Sequence, residues 1–289
     1  MAIQLQVSAS QKVPLEKTKI SDFSWLPTIR TCNCEAGRLN CLTRKELSKL
    51  GSTVLSLQKR HRWEETHPAR FIPELPEKYI KLFSHSGETV LDPFCGSGTT
   101  NVAAKKLKRN SIGIDVNPYS VQLSNKRLNQ RTLFDEDTKH LVIQGDCIGV
   151  MAEIPENSID LIVTSPPYFD VVDYGDSNER QLGNIHDYEQ FLNEIEKAWQ
   201  QCFRVLKAGG YLVVNTQDLF KKEVKCPIHS DYINQCKKIG FEIINVNIYI
   251  LNYSTGGRLV YGYPKTYYPK NDHEYILIFQ KPEMKDGES

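Results

Sequence analysis

Two patterns of hydrophobic and polar residues alternate along most of the chain. Short apolar runs rich in β-branched residues predict buried strands, and the segments between them have apolar residues at helical spacing. Strand–helix alternation of this kind predicts an α/β fold with a doubly wound, mostly parallel sheet. The predicted strands are 88–94, 111–116, 140–146, 159–167 and 211–216, and the predicted helices are 73–84, 99–108, 118–130 and 188–206.

The two ends of the chain depart from this alternation. Residues 241–251 and 273–281 are β-rich runs with only a turn-rich loop between them, which predicts an antiparallel hairpin at one side of the sheet. Near the other end, apolar residues at helical spacing predict a helix over 43–60 with Gly51 as a weak point. The helix 188–206 is expected to close at Gly209 and Gly210, which follow it directly.

Composition excludes several classes of protein. The 289 residues include 40% hydrophobic residues, which is typical of a globular chain and not of a disordered or fibrous one. Charge is balanced overall, with 36 Lys and Arg against 35 Asp and Glu, but residues 1–60 carry ten basic and only four acidic residues. We therefore divide the chain into a basic segment, 1–60, and a domain at 61–289. The basic segment is either a polyanion-binding arm or a solvated basic face.

Targeting signals and cysteines together indicate the cellular compartment that we expect. No apolar run approaches the roughly 18 residues of a membrane span, and the N-terminus lacks the pattern of a signal peptide, so we expect a cytoplasmic protein with mostly free thiols. Cys32, Cys34 and Cys41 could begin a metal site. The C-x-C spacing is unusual for zinc, however, and no fourth ligand is evident because His61 lies far along the chain. We therefore predict no metal site.

A glycine-rich loop follows the strand 88–94 and opens the next helix, with the sequence DPFCGSGTT. Gly96 and Gly98 would let the backbone approach a ligand, and the helix N-terminus would offer N–H groups to an anionic group. The loop lacks the Lys of the motif GxxxxGK[ST], which disfavours hydrolysis of ATP or GTP. A tight strand–helix turn without a ligand is the structural alternative.

Carboxylates stand at the ends of three successive predicted strands, at Asp92, Asp115 and Asp146. Ligands of open α/β sheets bind at this edge, and an acidic residue about 20 positions after a glycine-rich loop is placed to accept hydrogen bonds from ribose hydroxyls. Asp115 has that position. Asp92 can also cap N–H groups of the loop itself.

The fourth predicted strand ends in a turn made of Ser165, Pro166, Pro167 and Tyr168. The two prolines remove two backbone donors and fix φ, so the carbonyls before them stay free as acceptors. Such a turn suits an amine whose two hydrogens need acceptors, and Tyr168 adds a face on which a ring can stack. A strand-ending turn with a core tyrosine is the structural alternative.

Taken in order, these motifs resemble the amino-methylating DNA methyltransferases. The segments DPFCGSGTT, GIDVNP, QGD, TSPPY, FRVLKAGGYLVV and HEYILIFQK carry the resemblance, which covers about residues 61–281 and includes WEETHPARFIPELPEKYIKLFS. It implies a Rossmann-like methyltransferase fold, S-adenosyl-L-methionine as the cofactor and double-stranded DNA as the partner. The serine before Pro-Pro-Tyr favours cytosine N4 over adenine N6, and a restriction endonuclease is the expected functional partner.

The resemblance also implies roles for individual residues. Asp115 matches the ribose ligand, Asp146 the residue that reads the adenine amino group, and Pro118 would help line the pocket. The implied cofactor-binding residues are His67, Pro68, Ala69, Phe71, Asp92, Pro93, Phe94, Gly96, Ser97, Gly98, Thr99, Thr100, Asp115 and Asp146.

The implied chemistry is a direct displacement on a base flipped out of the duplex. Ser165 Oγ and the Pro166 carbonyl would accept the two amino hydrogens while Tyr168 stacks on the base. Cys95 and Cys147 are then not nucleophiles. An RNA methyltransferase and an inactive DNA-binding relative are the alternatives.

Recognition of DNA is expected from within the segments already named, because only about eight residues follow the last predicted strand and no C-terminal recognition domain is expected. Three stretches are candidates: 1–60, 169–187 and 253–271. In the last of these, aromatic and basic residues interleave, which suits contacts with phosphates and bases, although a packed Tyr-rich loop is the alternative. The predicted DNA-binding residues are Tyr253, Arg258, Lys265 and Lys270.

Overall fold

A computed structural model describes residues 22–56, 72–130, 138–170, 182–221, 224–251, 260–261, 265, 267–269 and 271–283. Within these ranges the helices are α1 (Arg44–Leu50), α2 (Glu74–Phe83), α3 (Thr99–Lys106), α4 (Pro118–Leu128), α5 (Cys147–Ala152), α6 (Tyr188–Val205) and α7 (Ile228–Ile239). The strands are β1 (Val54–Leu55), β2 (Thr89–Asp92), β3 (Asn110–Asp115), β4 (His140–Gln144), β5 (Ile159–Thr164), β6 (Leu206–Thr216), β7 (Leu219–Lys221), β8 (Val224–Cys226), β9 (Glu242–Ile250), β10 (Val260–Tyr261), β11 (Tyr268–Pro269) and β12 (His273–Gln280).

Eight strands form one sheet in the order β1-β9-β12-β6-β5-β2-β3-β4. Strands β6, β5, β2, β3 and β4 run parallel to one another. Strand β12 is antiparallel to both β6 and β9, and β1 pairs with β9 in parallel. The α/β class, the mostly parallel sheet and the antiparallel C-terminal hairpin predicted from the sequence are therefore confirmed.

The parallel strands are buried on both faces, which is why they read as continuous apolar runs. Successive residues of β5 illustrate this. Leu161 and Val163 belong to one hydrophobic cluster together with residues of α2 and α3, whereas Ile162 belongs to a second cluster with residues of α5, α6 and α7. The fully buried Trp199 of α6 lies in the second cluster. This two-sided core fixes the sheet that positions the strand ends.

The helix predicted over 43–60 is confirmed over Arg44–Leu50 and is wrong over residues 51–56. Thr43 and Glu46 form a capping box at the start of α1, and Gly51 is the C-cap, so the predicted weak point is where the helix ends. Strand β1 follows and pairs with Ile248 and Tyr249 of β9. Pairing with the sheet edge and burial of Leu55 replace the last part of the helix; residues from 57 onwards lie outside the described ranges.

The prediction that α6 closes at Gly209 and Gly210 is also wrong. The helix ends at Val205, and β6 begins at the next residue, which pairs with Ile159. The register then shifts, and Gly209, with φ of +77°, lies inside the strand and donates its N–H to the Lys281 carbonyl at 2.8 Å. The two glycines therefore form part of a bulge rather than a helix cap.

The described part of the basic segment packs on the rest of the molecule. Phe23 and Leu26 are 7% and 8% exposed and belong to the cluster that contains α6, while Leu55 belongs to the cluster that contains α2. The boundary near residue 60 stays a prediction. In the ranges described, no helix is both long and apolar enough to cross a lipid bilayer.

Candidate active site

The candidate site lies along the carboxyl edge of four neighbouring strands. Because β5, β2, β3 and β4 are adjacent and parallel, their carboxyl ends meet at one edge of the sheet. The Ser165–Tyr168 turn follows β5, the glycine-rich loop follows β2, Asp115 ends β3, and Asp146 lies two residues beyond β4. The structure thus brings together motifs that span more than 70 residues of the sequence.

Asp92, the last residue of β2, connects two of these motifs. Its carboxylate is buried, and Oδ1 accepts hydrogen bonds from the Phe94 N–H at 3.1 Å and from Thr164 Oγ1 at 2.7 Å. Thr164 directly precedes Ser165, so one carboxylate holds the glycine-rich loop against the Pro-Pro turn. Burial raises the pKa of Asp92 to about 6.

Asp115 and Asp146 lie on the next two strand ends, and both are partly exposed. Asp115 accepts the Gly96 N–H at 2.9 Å through Oδ2 and the Asn117 N–H at 2.8 Å through Oδ1. An ionised carboxylate can accept about four hydrogen bonds, so bonds to ligand hydroxyls are compatible with these two. Asp146 is the N-cap of α5 and accepts the Ile148 N–H at 3.4 Å.

The glycine-rich loop is held from the far side by Arg127 of α4. Its Nη1 donates to the Ser97 carbonyl at 2.6 Å, to Ser97 Oγ at 3.1 Å and to Thr99 Oγ1 at 3.2 Å. The N-cap of helix α3 is Gly98, which has a φ of +75° and provides no side-chain cap. The first N–H groups of a helix have no partner within it, so this N-terminus suits an anionic group.

The Pro-Pro turn is supported by two residues that the sequence analysis missed, Asn215 of β6 and Glu274 of β12. Asn215 Nδ2 donates to Glu274 Oε2 at 2.9 Å and approaches Ser165 Oγ at 3.5 Å, while the Tyr168 hydroxyl donates to Glu274 Oε1 at 3.4 Å. Glu274 therefore connects both ends of the turn. The available signals were an Asn inside the apolar run YLVVNT and a Glu at the start of the last strand.

Comparison with known families decides the classification. The family model described as DNA methylase, which covers the N6 and N4 methyltransferases, matches residues 5–126 and 159–288. The chain belongs to this DNA methylase family. A second model, described as RNA cap guanine-N2 methyltransferase, matches residues 87–207, the part that contains β2 to β5 and the glycine-rich loop.

The curated relatives that the chain resembles include Type II methyltransferases. The chain is 35% identical to M.BglI of Bacillus subtilis over 131 residues, which are 42% of this chain and 38% of that protein. It is 43% identical to M.MjaI of Methanocaldococcus jannaschii over 81 residues, 22% of this chain and 27% of that protein. The chain thus spans well under half the length of the curated relatives it matches.

Among solved structures, the chain is similar to TTHA0409, a DNA modification methylase of Thermus thermophilus, in its complex with S-adenosyl-L-methionine. The identity is 33%, with 50% of this chain and 54% of that chain covered and a TM-score of 0.37. Membership of this family supports S-adenosyl-L-methionine, the cofactor predicted from the sequence. The groups at this edge are chemically suited to that cofactor, because Asp115 offers acceptors for ribose hydroxyls and the N-terminus of α3, which has no side-chain cap, offers N–H groups for a carboxylate.

A side-chain oxygen of Asn215, beside the Pro-Pro turn, is unsatisfied. Asn215 is 4% exposed, and its Oδ1 is buried without a hydrogen-bond partner among the described residues. The orientation of the amide is fixed, because Nδ2 faces the carboxylate of Glu274, which accepts. A buried acceptor left unpaired costs about 1–3 kcal/mol.

Several predicted site residues lie outside the described ranges. These are His67, Pro68, Ala69 and Phe71 on the cofactor side and Tyr253, Arg258 and Lys270 on the DNA side. Lys265 is described and exposed. The roles assigned to these residues from the family resemblance stay predictions.

The raised pKa of Asp92 gives the first testable prediction. An unfolded chain has an Asp pKa of about 3.9, so folded protein binds this proton more tightly, and the contribution of Asp92 to stability falls as pH rises from about 4 to 6. Asp92→Asn stays neutral and can still accept from Phe94 and Thr164. We expect the free energy of unfolding of wild type, relative to Asp92→Asn, to fall by up to about 3 kcal/mol between pH 4 and 7.

Urea unfolding at a series of pH values measures this difference. Asp187→Asn serves as a control, because Asp187 is the exposed N-cap of α6 and its carboxylate accepts only locally, from the Gln190 N–H at 2.8 Å. This variant is expected to follow the wild-type pH dependence. A constant difference between wild type and Asp92→Asn across the range would contradict a raised pKa at Asp92.

Proposed function

We propose that the chain transfers a methyl group from S-adenosyl-L-methionine to N4 of cytosine in double-stranded DNA, as the modification enzyme of a restriction–modification pair. The observation that carries the proposal is the 2.7 Å hydrogen bond between Thr164 and Asp92. It joins the acceptor turn of β5 to the glycine-rich loop of the adjacent strand β2. Methyl transfer needs donor and acceptor held together in this way, because correct positioning of the two reactants supplies most of the rate.

On the cofactor side, each residue has a binding role. S-adenosyl-L-methionine supplies a methyl group bonded to a positively charged sulfur. Asp115 accepts hydrogen bonds from its ribose hydroxyls and Asp146 from its adenine amino group, and the N-terminus of α3 faces its carboxylate. Phe94 and Pro118 line the pocket. None of these residues takes part in covalent chemistry.

On the substrate side, the turn orients a flipped base. An exocyclic amino group has two hydrogens. Ser165 Oγ and the Pro166 carbonyl accept them, which aims the nitrogen lone pair at the methyl group. Tyr168 stacks on the base, and its bond to Glu274 holds the ring in place. Serine at position 165 favours cytosine N4, and adenine N6 is the second candidate.

Nucleoside mass spectrometry tests the proposal directly. Unmethylated plasmid DNA and a mixed RNA sample are incubated separately with the protein and S-adenosyl-L-methionine that carries a deuterated methyl group. We expect labelled N4-methylcytosine in DNA and no label in RNA. Label in N6-methyladenine alone would overturn the choice of base, and label in RNA alone would overturn DNA as the substrate.

The cofactor assignment of Asp115 gives a further prediction. In Asp115→Asn, the amide oxygen can still accept from one of the two backbone N–H groups, but the amide nitrogen can neither accept from the other nor serve as an acceptor for the ribose. A hydrogen bond to a charged group contributes about 1.5–3 kcal/mol, so affinity for S-adenosyl-L-methionine should fall about 10- to 150-fold. Isothermal titration calorimetry measures the affinity, with Asp187→Asn as a matched control that keeps wild-type binding. Unchanged affinity in folded Asp115→Asn would remove this residue from the cofactor site.

Contacts with DNA are proposed for Tyr253, Arg258, Lys265 and Lys270. Replacing the three basic residues with Ala should weaken DNA binding and reduce the slope of log K against log salt by about 0.9 for each phosphate that the variant no longer neutralises. Lys237→Ala, at the exposed end of α7, is the control and should keep the wild-type slope. Binding measured by fluorescence anisotropy at several salt concentrations gives both slopes. Equal slopes in the triple variant and the control would mean that this loop does not touch the DNA backbone.

A further inference from the structure

Three cysteines and one histidine meet at the opposite edge of the sheet from the candidate active site. Cys32, Cys34 and Cys41 precede α1, and His85 lies between α2 and β2. One ligand atom from each of the four lies within 4.8 Å of the others. The Sγ atoms of Cys32 and Cys41 are 3.3 and 3.4 Å from His85 Nδ1. All three cysteines are free thiols.

We propose that these four side chains bind a zinc ion in a closed tetrahedral site. Zn–S bonds of about 2.3 Å and Zn–N bonds of about 2.0–2.1 Å place sulfur and nitrogen ligands roughly 3.6 Å apart around one ion. The two sulfur–nitrogen distances observed agree with that spacing. Thiolates together with an imidazole favour zinc over hard cations, and four protein ligands leave no open position for catalysis.

The other nitrogen of the His85 ring supports this assignment independently. His85 is fully buried, and its Nε2 lies 2.8 Å from the Arg38 carbonyl oxygen. A carbonyl can only accept, so Nε2 carries the hydrogen, and the lone pair of the neutral ring is on Nδ1, facing the thiols. A histidine that binds a metal usually donates its second N–H to a carbonyl or carboxylate in this way.

The charge around the cluster is also consistent with zinc. An ion of charge +2 with three thiolates carries a net charge of −1. The Arg109 guanidinium is buried, donates to the Ser84 carbonyl at 2.7 Å and interacts electrostatically with Cys41 and Cys32. A buried cation is costly unless it is paired, and an anionic metal site beside it would supply a partner in addition to Glu88.

The ion would hold the segment that contains the three cysteines against the start of β2. Beside the cluster, the Thr31 N–H donates to the Ser86 carbonyl at 2.8 Å, and Arg30 forms an ion pair with Glu88 at 2.6 Å. Gly87 has φ of +83°, and a Cβ there would lie 2.6 Å from the Thr31 methyl group. The segment therefore sits tightly at the start of β2, and zinc binding would add to the free energy of folding.

Elemental analysis of the whole 289-residue chain tests the proposal. The protein is purified without a metal-affinity step and without chelators, and zinc is measured by plasma mass spectrometry. We expect about one zinc per chain in wild type, the same in the control Cys226→Ser, and loss of zinc in Cys34→Ser and Cys41→Ser. Wild type that holds no zinc, even after zinc is added to reduced protein and dialysed, would overturn the proposal. Zinc retained by both ligand variants would overturn it equally.

A spectroscopic measurement on wild type keeps the test decisive if the variants do not fold. Zinc-edge X-ray absorption should show three sulfur ligands and one nitrogen ligand at the distances given above. A shell of oxygen and nitrogen atoms alone, or a disulfide between two of these cysteines found by peptide mass spectrometry, would contradict the site. These readouts do not depend on methyl transfer, so they stay informative if the proposed function fails.

Discussion

Ser165→Ala should lower the single-turnover rate of methyl transfer by about 10²–10³-fold and leave the affinity for S-adenosyl-L-methionine nearly unchanged. The size is that of removing one positioned hydrogen-bonding group from a preorganised site. The Pro166 carbonyl remains as the acceptor of one amino hydrogen, so some activity should persist. Cofactor affinity should persist because the proposed cofactor residues lie on the ends of β2, β3 and β4, whereas Ser165 follows β5.

Single-turnover kinetics and calorimetry on the same preparations separate the two effects. Ser48→Ala is a matched control, since Ser48 is exposed on α1 and donates only to the Lys45 carbonyl at 3.0 Å. Ser165→Asp is a second variant of interest, because a carboxylate still accepts. It should keep part of the turnover and shift the base preference towards adenine. Full turnover in Ser165→Ala would show that this turn does not hold the amino group.

Asn215 of β6 also contacts the turn that contains Ser165. Its Nδ2 approaches Ser165 Oγ, and its Oδ1 has no hydrogen-bond partner among the described residues. A buried acceptor left unpaired costs about 1–3 kcal/mol, so the support of the Pro-Pro turn carries a local cost in stability.

The strand ends could be predicted from the sequence because their signals are local. A continuous apolar run, a turn with two prolines and a loop with glycines at 96 and 98 each identify the end of a strand within a few residues. Once the parallel order is assumed, Asp92, Asp115 and Asp146 must lie along one edge. The structure has each of them there.

The supporting residues could not be predicted, because their positions depend on pairing between distant strands. Glu274 reaches the Pro-Pro turn only because β12 lies antiparallel beside β6, with Tyr275 opposite Thr216 and Ile276 opposite Asn215. His85 lies 44 residues beyond Cys41, with α1, β1 and α2 between them. No periodicity in the sequence records such contacts. The helix predicted over 43–60 ends early for a related reason. Val54 and Leu55 pair with β9 at the edge of the sheet and do not continue the helix.

Gly98→Ala should lower the free energy of unfolding by about 2–5 kcal/mol, because two costs add at this position. The residue has φ of +75°, where a side chain costs roughly 1–2 kcal/mol. A Cβ there would also lie 2.8 Å from the Ser124 Cβ and closer still to its Oγ, and overpacking of this kind costs roughly 1–3 kcal/mol. Chemical denaturation of the protein without cofactor measures the sum.

Two further variants separate these costs. Gly37 has φ of +80° with nothing within 4 Å of a Cβ, so Gly37→Ala should show the backbone cost alone. Adding Ser124→Gly to Gly98→Ala removes two of the clashing atoms, and it should recover stability even though glycine inside α4 costs about 1 kcal/mol by itself. Equal losses for Gly98→Ala and Gly37→Ala, with no recovery in the double variant, would mean that α4 yields to the added methyl group. In that case the backbone conformation of the glycine-rich loop, and not its contact with α4, would determine the shape of the loop.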